Sequence, residues 1–413
     1  MSSKLSTESY KGVRDFYPED QALLNYFFDT YRRVCERFGY VEYHASILEP
    51  SELYKAKGAD NEEIVNEQTY SFIDRGEREV TLRPEMTPTV ARMVAHKRRE
   101  LGFPLRFYSI PNVFRYERPQ RGRLREHWQL NVDLFGSHSF LAETEVIVLS
   151  YELMLEFGAK PNDFEIHISS RSFLNTLAQE LGLDDQKTRA MFALLDRKAK
   201  LSEEEFTKQL TALGVLPSYL EPHKVPEDVQ KVLNALQAAG ITNANFDPSV
   251  VRGFAYYTGV VFEVFDTDPQ NNRAMWGGGR YEDLTKLFDN ESITGVGFGL
   301  GDVTLRDFLE VRGLLPQYAP PTMLYIAVTD QALATAASEL AQELRAKGVC
   351  VAVDFGDRKL GKQIEAASKH KIPYVVVVGE TELASGEFKV KNLTSGVEET
   401  VARTELPNYF LNL

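Results

Sequence analysis

Between Gln21 and Phe38 the apolar side chains fall at Leu24, Phe27, Phe28, Tyr31, Val34, Cys35 and Phe38, a spacing that gathers them on one face and predicts a long amphipathic helix. Pro18, Glu19 and Asp20 suit its first turn, because proline loses no hydrogen bond there and acidic groups meet the positive end of the dipole. Residues 40–50 and 105–136 follow a different period and read as strands. The clearest is EHWQLNVDLF, where Trp128, Leu130, Val132 and Leu134 alternate with Gln129, Asn131 and Asp133, so one face is core and the other polar. The strand before it, around Arg106 to Glu117, reaches it through Arg118 to Arg125. Pro119 and Gly122 are turn residues there, which predicts an antiparallel hairpin with an arginine-rich loop.

Residues 171–240 change character, with four successive helical patterns and no strand, as a helical insertion would have. Strands resume at VRGFAYYTGVVFEVF and AMWGGGRYE, and the glycine-rich TGVGFGLG leads into a helix that Asp302 is placed to cap. The proline-rich GLLPQYAPPT closes this region near residue 320. Beyond it LYIAV, VCVAVDF and YVVVVG alternate with helical segments at 331–347 and 360–370, the pattern of a small α/β unit with a mostly parallel sheet.

Length and composition leave this picture intact: 413 residues, 43% hydrophobic and 26% charged, suit a soluble multidomain protein. No apolar run reaches the length of a membrane span, and MSSKLSTESYKG lacks a signal-peptide core, so the cytoplasm is the expected location. Cys35 and Cys350 match no metal spacing and read as thiols. Charge does change the picture. The chain carries 47 − 60 = −13 overall, yet residues 92–125 hold ten Lys/Arg against two Glu, five of them the arginines at 115, 118, 121, 123 and 125. Guanidinium groups that close repel one another unless an anion sits among them, and their planar forks suit phosphate oxygens.

Two glycine patterns resemble nucleotide loops and are weaker. GDRKLGKQ (356–363) nearly matches a phosphate-binding loop, but Gln363 stands where a Ser/Thr hydroxyl is required. Gly295, Gly297, Gly299 and Gly301 have period two, which argues for a strand with one bare face, open to a flat ring or to another backbone, rather than a dinucleotide turn.

Four segments carry a family resemblance, in the family's own order: TLRPEMTPTVAR (81–92), FRYERPQRGRLREHWQ (114–129), VRGFAYYTG (251–259) and GGGRYEDL (277–284) resemble motifs of the histidyl-tRNA synthetases, class II aminoacyl-tRNA synthetases. KGVRDFYPED (11–20) resembles the family's N-terminal segment, and Pro50 in ILEPSELY its first class II motif, which builds a dimer interface. The resemblance implies an α+β fold: an antiparallel-sheet catalytic core (1–170 and 241–319) with a helical insertion (171–240), plus a C-terminal α/β anticodon-binding domain (320–413). It implies a homodimer that joins L-histidine to tRNA(His) at the expense of ATP with Mg2+. It also implies roles. Arg115 and Arg252 would clamp the α-phosphate, with Glu117 and Arg123 on the rest of ATP and Arg121 and Gly122 near the tRNA acceptor end. Glu85, Thr87 and Gln129 would take the histidine ammonium. Asp133 and Tyr257 would read the imidazole, with Tyr256 and Tyr281 completing the wall. Arg358, Lys359 and Lys362 would meet tRNA.

Three positions depart from the common bacterial pattern: Ala255 for Asp, Met86 for Gly, and Thr304 for the third-motif arginine that grips the triphosphate. Ala255 and the Asp302–Val303 pair are similar to one branch of the family. Besides the ligase, two other readings are open. A synthetase-like regulatory subunit of ATP phosphoribosyltransferase that senses histidine would explain Thr304, but not the retained arginines or the C-terminal domain. A plain RNA-binding protein would not explain why Glu85, Gln129, Asp133 and Tyr257 occur together.

Overall fold

The computed structural model describes residues 5–55, 68–120, 122–198, 201–220, 225–252, 256–271, 274–282, 284–288 and 292–413. It divides into two compact units, Met1–Pro316 and Gln317–Leu413.

The amphipathic pattern near the N-terminus forms the helix Pro18–Arg37, with Pro18 in the first turn and Leu24, Phe27, Tyr31, Val34 and Cys35 buried. Phe27, Tyr31, Val34 and Cys35 enter a core that covers one face of a nine-stranded sheet. Eight of its strands run in the order Val41–Glu42, Leu105–Ser109, Glu126–Phe135, Gly295–Gly301, Ala274–Tyr281, Val260–Asp266, Phe164–Ser170, Ala244–Phe246, and the ninth, Asn112–Phe114, pairs with Glu126–Phe135 beside them. Both edge pairs are parallel, and every pair between them is antiparallel.

The hairpin forms as its alternation predicts: Phe107 stands opposite Asp133 and Phe114 opposite Glu126. Leu130, Val132 and Leu134 are buried in the core, which leaves Gln129, Asn131 and Asp133 on the other face. The period-two glycines form the neighbouring strand, with Gly297 opposite Asp133 and Gly299 opposite Asn131.

Other expectations are corrected. The reading of VRGFAYYTGVVFEVF as one strand holds only for Val260–Asp266; Arg252 has a left-handed backbone, φ 56°, which a β-strand does not admit. Asp302 does not cap the helix Asp302–Val311, whose N-cap is Gly301. Its buried carboxylate instead pairs with Arg14 at 2.7 Å and accepts the Trp128 N–H at 2.9 Å, fastening the N-terminal segment to the central strand. Residues 40–50 do not make one strand, since Leu48–Pro50 leaves the large sheet for a three-stranded one with Glu79–Leu82 and Tyr70–Ile73.

The four helical patterns become Arg171–Glu180, Asp185–Asp196, Glu203–Ala212 and Glu227–Ala238. The first three share a small core with Met191, Leu194 and Phe206. The fourth sends Val229, Val232 and Leu236 into the main core.

In the second unit the strands Val351–Val353, Leu324–Val328 and Tyr374–Val378 are parallel, and Glu387–Asn392 and Glu398–Ala402 extend the sheet antiparallel. Gln363 is buried and bonds the backbone of Val328 through both amide atoms, as well as Arg358 O. Its position in the phosphate-loop look-alike is therefore explained by packing.

Candidate active site

The polar face of the large sheet floors a cleft of about 350 Å³, lined by Glu85, Thr87, Arg115, Gln129, Asn131, Asp133, Arg252, Tyr256, Tyr257, Gly277, Tyr281, Gly297 and Gly299 among others. Nine residues named from the sequence meet there: Glu85, Thr87, Arg115, Gln129, Asp133, Arg252, Tyr256, Tyr257 and Tyr281. The glycines make the space. A β-carbon at Gly299 would overlap the Gln129 amide, and one at Gly297 would overlap the Val132 carbonyl and lie 2.6 Å from Asp133 Oδ1. The bare strand face is therefore occupied by side chains of the neighbouring strand.

One end of the cleft is built for polar groups. The Tyr281 hydroxyl donates to Asp133 Oδ1 at 2.5 Å, while Asp133 Oδ2 is buried with no hydrogen-bond partner among the described residues. Burial pushes the Asp133 carboxyl up to about 7, against the Tyr281 hydrogen bond and with help from the Glu85 charge. A buried acceptor without a partner costs free energy that a ligand N–H recovers. Beside it the Tyr256 hydroxyl donates to Glu85 Oε2 at 3.1 Å, and the Tyr256 ring packs on Tyr257 and edge-on to Tyr281.

Positive charge is also present. Arg115 anchors its Nε on the Pro84 carbonyl at 2.9 Å. Arg252 holds Glu263 Oε1 through Nη1 at 2.8 Å, and its Nε is buried without a partner among the described residues. Burial works against the Arg252 charge, but Glu263 outweighs it and raises the pKa above the usual arginine value. Arg252 stays cationic.

The four described arginines of the hairpin, Arg115, Arg118, Arg123 and Arg125, separate in space. Arg125 is buried: its guanidinium lies 4.1 Å from the Tyr116 ring centre, donates to the Glu117 carbonyl and the Tyr10 hydroxyl at 3.1 Å each, and its backbone N–H bonds Gly12 O. It ties residues 10–12 to the loop. Arg118 and Arg123 are exposed, and Arg123 reaches Glu117 at 3.5 Å. Glu117, Gly122 and Arg123 are not among the cleft-lining residues. Arg121 and Ala255 lie outside the described residues. Thr304 donates its hydroxyl to the carbonyls of Met275 and Gly301, and a β-carbon on Gly122 would stand 3.7 Å from its methyl. Met86, the other departure, is fully buried. In the second unit Arg358 pairs with Asp354 at 2.6 Å and Lys362 with Glu365 at 2.6 Å.

Sequence reasoning missed three groups. Asn131 shares the parity of Gln129 and Asp133, and its Oδ1 is buried without a partner among the described residues. His127 has the same parity, and burial together with Arg115 and Arg14 holds its imidazole down to about 3, hence neutral. Glu263 was visible as the one charge within VVFEVF.

A large, mainly antiparallel sheet carrying arginines and a polar cleft on one face, followed in the chain by a separate α/β unit, has the architecture of a class II aminoacyl-tRNA synthetase. A crystal structure of histidyl-tRNA synthetase from Nostoc sp. PCC 7120, 23% identical, superposes with a TM-score of 0.81 over 99% of this chain and 100% of that one, a likeness of fold. The histidyl-tRNA synthetase family model matches residues 12–302 and an anticodon binding domain model matches residues 323–413. Histidine–tRNA ligase of Leptospira biflexa is 43% identical over 424 residues, with 97% of each chain covered, and that of Thermoplasma volcanium is 35% identical, covering 97% of this chain and 98% of its own. The chain belongs to the histidyl-tRNA synthetase family.

Proposed function

We propose that this chain is an active histidine–tRNA ligase, which activates L-histidine with ATP and transfers it to the 3′ end of tRNA(His). The observation that carries the reading is the juxtaposition, in one cleft, of the unpartnered Asp133 Oδ2 with two arginines. In this reading Asp133 accepts an imidazole N–H and Tyr257 faces the other ring nitrogen, while Tyr256 and Tyr281 wall the ring. Glu85, Thr87 and Gln129 take the α-ammonium, a cation suited to oxygen acceptors. The histidine carboxylate then attacks the α-phosphate, two anions brought together, and Arg115 and Arg252 neutralise the charge growing on the phosphoryl oxygens.

Arg123 and Glu117 serve the outer part of ATP, Arg121 and Gly122 the tRNA acceptor end, and Arg358, Lys359 and Lys362 the RNA bound by the second unit. Magnesium, a hard cation that prefers oxygen ligands, would be held by Glu117 together with the triphosphate, and would supply charge neutralisation there. Among the described residues no group of three or more His, Cys, Asp or Glu side chains gathers to hold a metal.

Histidine-dependent ATP–pyrophosphate exchange tests the reading: it is expected with histidine and with no other standard amino acid. Histidine binding without exchange transfers the conclusion to the regulatory subunit, the reading that Thr304 favours.

With no arginine at 304, Arg123 is the expected holder of the outer phosphates. Arg123→Ala should raise KM for ATP about ten-fold, the loss of one charge-assisted bond, and leave histidine affinity measured without ATP nearly unchanged. Arg306 pairs with Asp20 at 3.3 Å and is committed elsewhere, so Arg306→Ala should change KM for ATP little. Steady-state exchange kinetics decide between them; the reverse outcome gives the arginine loop to RNA.

The functional form is a homodimer in the cytoplasm. Leu48, Phe72 and Ile73 of the small sheet are 43%, 48% and 63% exposed, apolar area that a second copy would cover. Light scattering at micromolar concentration should give twice the chain mass; a fully active monomer overturns this.

A further inference from the structure

Arg252 is held in an unusual way. Its backbone is left-handed, its side chain is mostly buried, and the ion pair to Glu263 engages only Nη1 while Nε finds no partner among the described residues. A non-glycine residue pays strain for that backbone and keeps it only where its surroundings enforce it. Glu263 is rigidly placed: it sits in the strand Val260–Asp266 between Gly277 on one neighbouring strand and His167 on the other. A β-carbon at Gly277 would lie 3.0 Å from both Cα and Cγ of Glu263, so that glycine makes room for its side chain. Further along the same face, the His167 imidazole bridges Asp247 at 3.0 Å and Glu165 at 2.9 Å. Asp247 and Asp196 also act electrostatically on Glu263, and His167 offsets the first of them.

We propose that Glu263 is the positioning residue of Arg252. Its carboxylate pins one corner of the guanidinium to the sheet and leaves the remaining donors for an anion that the cleft would bind. A guanidinium has five N–H donors in a planar fork; fixing one of them sets the plane of the rest before substrate arrives, and preorganised donors need no rearrangement during reaction. The pairing also keeps Arg252 ionised where burial opposes its charge. Glu263 itself is not among the residues that line the cleft.

The proposal rests on the ligase reading, and a double-mutant cycle on the purified full chain separates the two. In histidine-dependent ATP–pyrophosphate exchange, Glu263→Gln should lower kcat about ten-fold or more, with KM for ATP and for histidine within about three-fold of the parent. In an Arg252→Ala background the same substitution should change kcat less than about two-fold, because its target is gone. A merely structural role for Glu263 gives equal losses in both backgrounds, and that result overturns the proposal, as does an unchanged kcat for Glu263→Gln alone. Absence of exchange in the unsubstituted protein removes the ligase reading and this proposal together.

Discussion

Arg252→Ala should lower kcat for histidine adenylation by about two orders of magnitude or more, the loss of roughly 3 kcal/mol expected when a donor aimed at a developing oxyanion is removed. KM values should move much less, because the charge Arg252 meets is largest in the transition state. The substitution has a second effect. It leaves Glu263 mostly buried and without its cation, and stranding one member of such a pair destabilises the fold. Turnover is therefore measured well below the melting temperature, alongside Arg252→Ala combined with Glu263→Gln, which should recover stability and not activity. Unchanged turnover in Arg252→Ala would remove this arginine from the mechanism.

Asp133→Asn should raise KM for histidine about 30-fold or more, as a charge-assisted hydrogen bond to the imidazole is replaced by a neutral one and the amide presents a donor where an acceptor is required. The same substitution should stabilise the ligand-free protein above neutral pH. The Asp133 pKa is about 7 in the fold, against roughly 3.9 in an unfolded chain. Between those values the folded carboxyl retains a proton that the unfolded one has lost. Stability from this group is fully present below about pH 4 and is lost as pH rises through about 7. Asparagine removes that dependence, on the order of 4 kcal/mol. Melting temperatures of both proteins at pH 4 and pH 8, without histidine, should coincide at the lower pH and favour Asp133→Asn at the higher. A variant less stable at pH 8 would mean that the carboxylate is ionised and satisfied in the empty cleft.

Strand and helix periods were legible wherever one face is buried and the other wet. Trp128 to Leu134 alternate because successive side chains of a strand point to opposite faces, and that alternation alone placed Gln129 and Asp133 together. The period-two glycines likewise marked a strand with a bare face. The helix Phe140–Glu156 escaped notice for the opposite reason: in VIVLSYELML apolar residues fall on nearly every side, and an element buried all round has no period to read. Helix Glu227–Ala238 was read correctly as a helix, but nothing in its pattern says that Val229, Val232 and Leu236 enter the main core and not the small helical one.

The chain's own order of residues determined which groups share a face of one element, where turns and linkers fall, and, through four motifs in sequence, the family. Pairings across the fold came only with assembly. Tyr281 and Asp133 are 148 positions apart, Arg14 and Asp302 288, and no local pattern couples them. Such contacts made Arg125 a fastener for the N-terminal segment, turned Asp302 from a helix cap into an anchor, and gave Arg252 its carboxylate. The physical reason is one of range: side-chain direction along an element follows from backbone geometry within a few residues, whereas the partner of a buried charge is set by which distant strands the sheet brings side by side, and there an unpaired group is too costly to leave to chance.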